Sequence, residues 1–229
     1  MVNTVFGLER ALDILVVDDG SPDGTADLVR ELQVKYPQRL FLIERKGKLG
    51  LGTAYIKGFC WGLERHYEFF FEMDADFSHN PFDLLRLYEA CADRADVAVG
   101  SRYVRGGRLE NWPFDRILLS YGASLYVRII TWMPVKDPTA GFVCYRRRVL
   151  ETIDLEKIRF VGYAFQIEMK FASYLLGFHL TEIPITFTDR IEGTSKMSKG
   201  IVKEAVWGVI QMRLRSFFSS YRVKSVTGA

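Results

Sequence analysis

Between Ala11 and Gly100, short apolar runs that end in acidic or glycine-containing turns alternate with segments of helical period. Ala11 to Val17 (ALDILVV) reads as a strand that stops at Asp18-Asp19-Gly20, and Thr25 to Tyr36 repeats its apolar residues at Ala26, Val29 and Leu32 as a helix does. Leu40 to Ile43 is a second strand, and Gly50 to His66 a helix with Ala54, Phe59 and Leu63 on its apolar side. Glu68 to Met73 (EFFFEM) is the next strand, Pro81 opens a helix at a position it tolerates, and Asp96 to Gly100 closes the series. Strands alternating with helices predict an α/β fold, a mostly parallel sheet with helices on both faces. Beyond Arg102 the pattern loosens: Arg116 to Trp132 and Ala164 to Leu176 read as helices and Leu180 to Phe187 as a strand. No repeat or linker divides the chain, so residues 1–200 are expected to form one domain, followed over 201–229 by an amphipathic basic helix and tail.

In sheets of this kind ligands bind beyond the carboxyl ends of the strands, and two acidic clusters fall there. Asp74-Ala75-Asp76 follows an apolar strand, and two carboxylates two residues apart suit one divalent cation, Mg²⁺ or Mn²⁺, shared with substrate phosphates. The same pair also reads as helix-capping acids ahead of Pro81. Asp18 to Thr25 (DDGSPDGT) combines acids able to accept from a ribose or base with glycines able to take positive φ, while Asp23 or Thr25 caps the next helix. Lys46 to Thr53 (KGKLGLGT) lacks the Gly-Lys-Ser/Thr of an ATPase P-loop; it is a tight turn or a donor-contact loop. Arg102, Arg116 and the stretch Arg190 to Lys199 have the chemistry of a phosphate clamp. Arg146-Arg147-Arg148 reads as a solvated face and is kept out of the site.

Composition narrows the function classes. A formal charge of +3, from 31 basic and 28 acidic residues, is too small for a dedicated nucleic-acid binder. Cys60, Cys91 and Cys144 form no Cys-x-x-Cys pair, and His66, His79 and His179 lack metal-ligand spacing; a reducing compartment is expected and the histidines are given no chemistry. Met1 to Arg10 has no signal-peptide pattern, and the longest apolar stretch, Ile117 to Val135, is interrupted by Arg128. Near the carboxyl end Trp207, Ile210, Leu214, Phe217, Phe218 and Tyr221 recur at helical spacing among Arg213, Arg215, Arg222 and Lys224, as on a surface that lies against anionic lipid.

Taken in order, VVDDGSPDGTA, KLGLGTA, EMDADFSHNP, VGSRY, NWPFDRILLS, DPTAGF, GYAFQIEMK and GTSKMS resemble the polyprenol (dolichyl) phosphate mannosyltransferases among the family 2 glycosyltransferases, from about Val5 to Arg215. The resemblance implies a GT-A nucleotide-sugar fold and inverting transfer of mannose from GDP-mannose to a polyprenyl monophosphate, at the cytoplasmic face of a membrane to which the protein is peripheral. It implies that Asp74 and Asp76, with Ala75 between them, hold the metal and donor diphosphate, with Arg102 in the same catalytic region. Asp18, Asp19, Gly20 and Ser21 would lie near the nucleoside, and Lys48 and Gly50 beside the donor. Gln166 and Glu168 would line the sugar pocket, Arg116 and Ser120 would meet the acceptor phosphate, and Arg190, Ser195 and Lys196 would close over both substrates. UDP-glucose or another sugar nucleotide is the near alternative, and a binding module without turnover the more distant one.

Members of the family begin with a further strand, bearing a Pro-x-Tyr-Asn-Glu-like motif, and a helix before the strand reached here at Ala11. The expectation is open ladder groups, reduced donor affinity and reduced stability. The implied chemistry needs no strong base: a phosphate monoester, with its second pKa near ~6, is already ionised at neutral pH. Glu168→Gln is therefore expected to lose less activity than Asp76→Asn.

Overall fold

The computed structural model describes residues 1–162, 164–189 and 199–223, with only the backbone for 199–205. After a short helix α1 (Val2–Phe6) come β1 (Ile14–Asp18), α2 (Thr25–Lys35), β2 (Leu40–Glu44), α3 (Leu51–Glu64), β3 (Phe69–Glu72), α4 (Asp83–Asp93) and β4 (Val97–Ser101). The second half contains β5 (Arg108–Glu110), α5 (Phe114–Thr131), β6 (Val143–Arg146), α6 (Arg147–Thr152), α7 (Ala164–Leu175), β7 (Leu180–Pro184), β8 (Thr186–Thr188) and α8 (Lys199–Arg215). The alternation read from Ala11 to Gly100 is present element for element, with ends shifted by a few residues.

The strands form three groups: β1 with β2, a central β3-β6-β4-β7 sheet, and β5 with β8. Three of the five pairings are parallel, and β6 runs antiparallel between β3 and β4. The expected, mostly parallel sheet is thus mixed at its centre. β6 escapes a pattern reading because its apolar run is short and leads straight into three arginines. Packing explains its place: Phe142, Val143, Cys144 and Tyr145 have no solvent exposure. The single strand expected over Leu180–Phe187 is broken at buried Ile185, whose N–H donates to Ser101 O while its carbonyl accepts from Arg108 N. One extended segment thereby passes from β4 to β5 and carries an arm out of the core sheet.

Among the described residues β1 and β3 are not paired with each other, so each presents one open edge. α3 crosses behind both: Phe59 packs on Phe70 and Tyr145, and Gly62 lets Phe70 approach to a distance that a Cβ would occupy. Arg146, Arg147 and Arg148 correct the solvated-face expectation. Arg146 donates to Cys91 O and Ala92 O at the end of α4, Arg147 to Leu63 O and Tyr67 O at the end of α3, and Arg148 pairs with buried Asp96. Guanidinium forks here satisfy carbonyls that a helix end leaves without internal donors.

Candidate active site

The chain leaves the central sheet after Glu72 and turns through the Asp-Ala-Asp motif. Asp74 is half-buried and Asp76 exposed, with Asp76 Oδ1 accepting from Ser78 N at 3.0 Å. Phe77 takes a left-handed φ of 62°, which bends the chain back toward His79. His79 is 3% exposed, its ring 4.9 Å from Phe142 and 5.1 Å from Phe187. Burial pushes its imidazole down to about 4, with the nearby Arg102 acting in the same direction and Asp76 opposing. The ring is therefore neutral at pH 7, and Nδ1 faces the Asp74 N–H at 3.4 Å as an acceptor. Sequence reasoning gave His79 no role; its position inside the turn that follows the two acids was the available signal.

Arg102, at the end of β4, meets the Asp-Pro-Thr segment that leads into β6. Its Nε and Nη2 form a bidentate pair with Asp137 at 2.7 and 2.6 Å, and Nη2 also reaches Thr139 Oγ1 at 2.8 Å. Burial raises the Asp137 carboxyl, but the hydrogen bonds and charge of Arg102 outweigh it and hold the group below its ordinary value. Two faces of the fork are spent in this way, leaving Nη1 as the donor outside these contacts. Arg102 is thus a buried clamp on the loop, a role that spacing alone does not reveal.

Beneath this edge lies a cluster of buried polar side chains. Glu72 has no solvent exposure, and among the described residues its carboxylate oxygens, Gln166 Nε2 and the Tyr145 hydroxyl are buried without a hydrogen-bond partner of good geometry. Lys170, also fully buried, donates to Ala140 O at 2.6 Å and Gln166 O at 3.0 Å. Burial pushes Glu72 up to about 8 against the pull of Lys170, and the same burial brings Lys170 down to about 8 against that of Glu72. Lys170 thus ties α7 to the loop that holds Arg102. Gln166 sits on this side of α7, beside Gly141.

Glu168 does not. Two residues along a helix are about 200° apart, so Gln166 and Glu168 face opposite ways. The Glu168 carboxylate, without solvent exposure, accepts from Arg159 N, Phe160 N, Tyr221 OH and Arg215 Nη2. The structure therefore corrects its expected place in the sugar pocket: it is a clasp for the carboxyl-terminal segment.

At the other acidic cluster, Asp18 is buried and accepts from Gly20 N at 2.9 Å and Ser21 N at 3.1 Å; the Ser21 hydrogen bond holds its carboxyl below the ordinary value against desolvation. Asp19 pairs with Arg45 at 2.5 Å, and Arg45 continues to Thr53 Oγ1 at 2.7 Å. Asp23 accepts from the Thr25 N–H and hydroxyl, but the N-cap position of α2 is Gly24, at φ 80°, with no side-chain cap hydrogen bond, so the expected capping by Asp23 or Thr25 is corrected to a local turn. Gly50, at φ +95°, and Gly52 allow the loop to press on the segment before α7: a Cβ would lie 2.7 Å from Val161 O at the first and 2.6 Å from Phe160 O at the second. The glycines thus serve a close approach, and Lys48 stands exposed beside them.

On α5, Arg116 stacks on Trp112 with 3.9 Å to the ring centroid and pairs with Asp189, while Ser120 accepts from Tyr103 OH at 2.7 Å. These two are joined to Arg102 through an aromatic cluster in which Tyr103, Trp112 and Phe187 all face its guanidinium. The outward side of α5 is apolar, with Phe114, Leu118, Ile129 and Trp132 more than half exposed. α8 lies alongside, burying Val209 and Met212 and exposing Trp207 and Leu214. Its helix ends at Arg215, so Phe217 and Phe218 project from a turn and Tyr221 packs inward, contrary to the one continuous amphipathic helix expected. Among the described residues no helix is long and apolar enough to cross a membrane. Arg190, Ser195, Lys196 and the tail beyond Val223 lie outside the described residues.

The structure therefore brings together Asp74, Asp76, His79, Arg102, Asp137 and Gln166, with Arg116 and Ser120 on the adjoining arm. Among the described residues no three His, Cys, Asp or Glu side chains form a closed metal cage. An exposed Asp76 beside a half-buried Asp74 fits instead a hard cation that takes its remaining oxygens from water and a diphosphate.

Known proteins agree with this architecture. The family model described as "Glycosyl transferase family 2" matches residues 2–154. The polyprenol monophosphomannose synthase of Mycolicibacterium smegmatis is 48% identical over 202 residues, covering 88% of this chain and 76% of the relative. The undecaprenyl-phosphate mannosyltransferase of Micrococcus luteus is 47% identical over 212 residues, 93% of this chain and 86% of the relative. Among solved structures, a mannosyltransferase from Pyrobaculum calidifontis, in complex with GDP-Man and Mn²⁺, superposes with a TM-score of 0.54 at 15% identity over 93% of this chain and 56% of that one. Glucosyl-3-phosphoglycerate synthase from Mycobacterium tuberculosis gives 0.58 at 15% identity over 89% and 68%. At such identities the structures speak for the fold, a GT-A glycosyltransferase fold, and the sequence relatives for the family: the chain belongs to glycosyltransferase family 2, on the branch that includes polyprenyl-phosphate mannosyltransferases.

Proposed function

We propose that this protein transfers mannose from GDP-mannose to a polyprenyl monophosphate, with inversion at the sugar carbon, working from the cytoplasmic face of a membrane. The observation that carries the reading is the convergence of the Asp74/Asp76 edge with Arg102 and Gln166 on one side and the Arg116/Ser120 arm on the other, beside an exposed apolar helix face. Sequence identities of 48% and 47% to two polyprenyl-phosphate mannosyltransferases, over 88% and 93% of this chain, support the acceptor and the sugar.

Asp74 and Asp76 would hold Mg²⁺ or Mn²⁺. When bound, the cation screens the diphosphate and makes it a better leaving group. The chain's own residues do the rest. His79 and the Ser78 N–H fix the turn that carries the two acids. Asp137 and Lys170 fix Arg102 and the loop behind it, so that positive charge is oriented before substrate arrives. Arg116 and Ser120 lie one helical turn apart on one face and would orient the acceptor phosphate, whose oxygen is ionised and needs placement rather than deprotonation. Phe114, Leu118, Ile129 and Trp132 would rest in the bilayer surface, where a lipid-borne phosphate is presented.

Transfer of labelled mannose from GDP-mannose to a polyprenyl phosphate in detergent or liposomes, with Mg²⁺ or Mn²⁺ and with chelator, tests this. Chelator-sensitive lipid product is expected, and excess UDP-glucose is expected not to compete. Donor binding without lipid product would favour the binding-module reading, and product from UDP-glucose alone would overturn the donor.

A further inference from the structure

On the far side of α7 from the candidate active site, the end of α8 folds over a small cavity of about 30 Å³ lined by Lys157, Arg159, Arg215, Ser216, Ser219 and Tyr221. The acids within reach are already engaged. Glu168 accepts from four donors, Arg215 and Tyr221 among them, and Asp154 holds Lys157 at 3.2 Å. Arg215 gives Glu168 only its Nη2. Lys157 also reaches Ser220 O at 2.9 Å and Arg222 O at 3.4 Å, which draws the chain after α8 around the opening. Arg159 is exposed and forms no ion pair among the described residues, and the Ser219 hydroxyl has no hydrogen-bond partner there. Three cations against two committed acids leave the wall positive and furnished with N–H and O–H donors.

The surroundings name the ligand class. Ser216 and Ser219 line the cavity, and the two residues between them, Phe217 and Phe218, are 62% and 92% exposed. Arg213 lies 4.6 Å from both the Trp132 and Phe217 ring centroids, joining the ends of α5 and α8 into an aromatic lip. A basic recess behind exposed aromatic rings matches a phosphate at the depth where a bilayer changes from acyl chain to head group.

We propose that this cavity is an anion site for a phosphate group, separate from the Asp74/Asp76 edge and formed by Arg159, Lys157, Arg215 and Ser219. The phosphate is that of an anionic phospholipid head group or of a soluble phosphate ester. Nothing in the site depends on the sugar-transfer reaction, so binding is the readout. Binding of the full chain to phosphatidylcholine vesicles with and without phosphatidylglycerol is compared for wild type, Arg159→Gln and, as a control, Arg94→Gln, an exposed arginine at the end of α4. A second arm measures thermal protection by inorganic phosphate and glycerol phosphate.

Arg159→Gln is expected to lower affinity for the phosphatidylglycerol vesicles about five-fold, the effect of one cation at an anionic surface, and leave phosphatidylcholine binding unchanged. That loss without protection by soluble phosphates assigns the site to a lipid head group; loss of soluble-phosphate protection with unchanged vesicle binding assigns it to a soluble ester. Equal losses in Arg159→Gln and Arg94→Gln, or no change in either arm, overturn the proposal. Circular dichroism melts of each variant verify that the chains compared are folded.

Discussion

Two arginine–aspartate pairs stand at the carboxyl ends of strands in this molecule, and they are built differently. Arg102–Asp137, on the central sheet, is bidentate, with the carboxylate wholly out of solvent and the guanidinium side chain 10% exposed. Arg45–Asp19, on the β1–β2 layer, has an equally covered guanidinium, 10% exposed, but a carboxylate side chain 24% exposed, joined through one Nε–Oδ1 hydrogen bond. The strands beneath follow suit. Every residue of β4 is buried, whereas β1 buries only Asp18 and β2 only Leu40. The machinery assigned to the diphosphate and acceptor thus rests on a packed sheet, and the loops nearest the expected nucleoside site rest on a two-stranded layer whose far edge is open. Rigid placement is concentrated where the proposed transfer would need charge to be oriented.

The largest effect should separate these pairs. Asp137→Ala removes a bidentate, fully buried partner and is expected to cost about 3–5 kcal/mol, while Asp19→Ala removes one bond from a partly exposed carboxylate, leaves Arg45 its contacts to Thr53 and Gly50, and is expected to cost less, about 1–2 kcal/mol. Urea unfolding of both variants measures the gap, and equal costs would break the comparison. Next, Asp76→Asn should lower mannosyl transfer about a hundredfold with little change in melting temperature. Glu168→Gln should do the reverse, losing about 2 kcal/mol of stability through the weakened clasp while keeping most of its activity. Transfer rates and melts on the same samples give both readings, and a larger activity loss in the glutamate variant would defeat the base-free mechanism.

Acid sharpens the contrast. The folded Asp137 carboxyl lies below its unfolded value of about 3.9, so its stabilisation is complete above that value and is lost as pH falls through the folded one. Asp137→Asn should therefore have a shallower acid-unfolding limb than wild type, as followed by fluorescence from pH 5 to 2. The smallest difference is apolar: Val99→Ala in β4 should cost about 2 kcal/mol and Val16→Ala in half-buried β1 about 1 kcal/mol.

What could be read from the sequence follows from how each element is specified. β1 through β4 and the helices between them carry their own periodicity, and the acidic turns follow apolar runs, so the edge that holds Asp18 and Asp74 was legible. β6 was not, because an antiparallel strand inserted from a distant part of the chain is defined by the neighbours it fits between. Glu168 illustrates a second limit: its motif drew it toward the site, although helical geometry already set it opposite Gln166. The roles of Asp137 and Lys170 depend on what surrounds them after folding, and neither carries a mark in its own neighbourhood; His79 had one, the acidic turn before it, but its burial against Phe142 and Phe187 arises only in the fold.

The three consecutive arginines 146–148 have a consequence for protease resistance. They offer trypsin three adjoining cleavage points, yet the Arg146 and Arg147 backbone N–H groups are bound to Asp96 O and Glu68 O, and their side chains are bound to the ends of α4 and α3. A protease needs its substrate as a free extended strand, and this segment is already held, Arg146 as the last residue of β6 and Arg147 and Arg148 in the first turn of α6. Native digestion should therefore pass over the densest tryptic site in the chain, and a cut there would report that the central sheet has come apart.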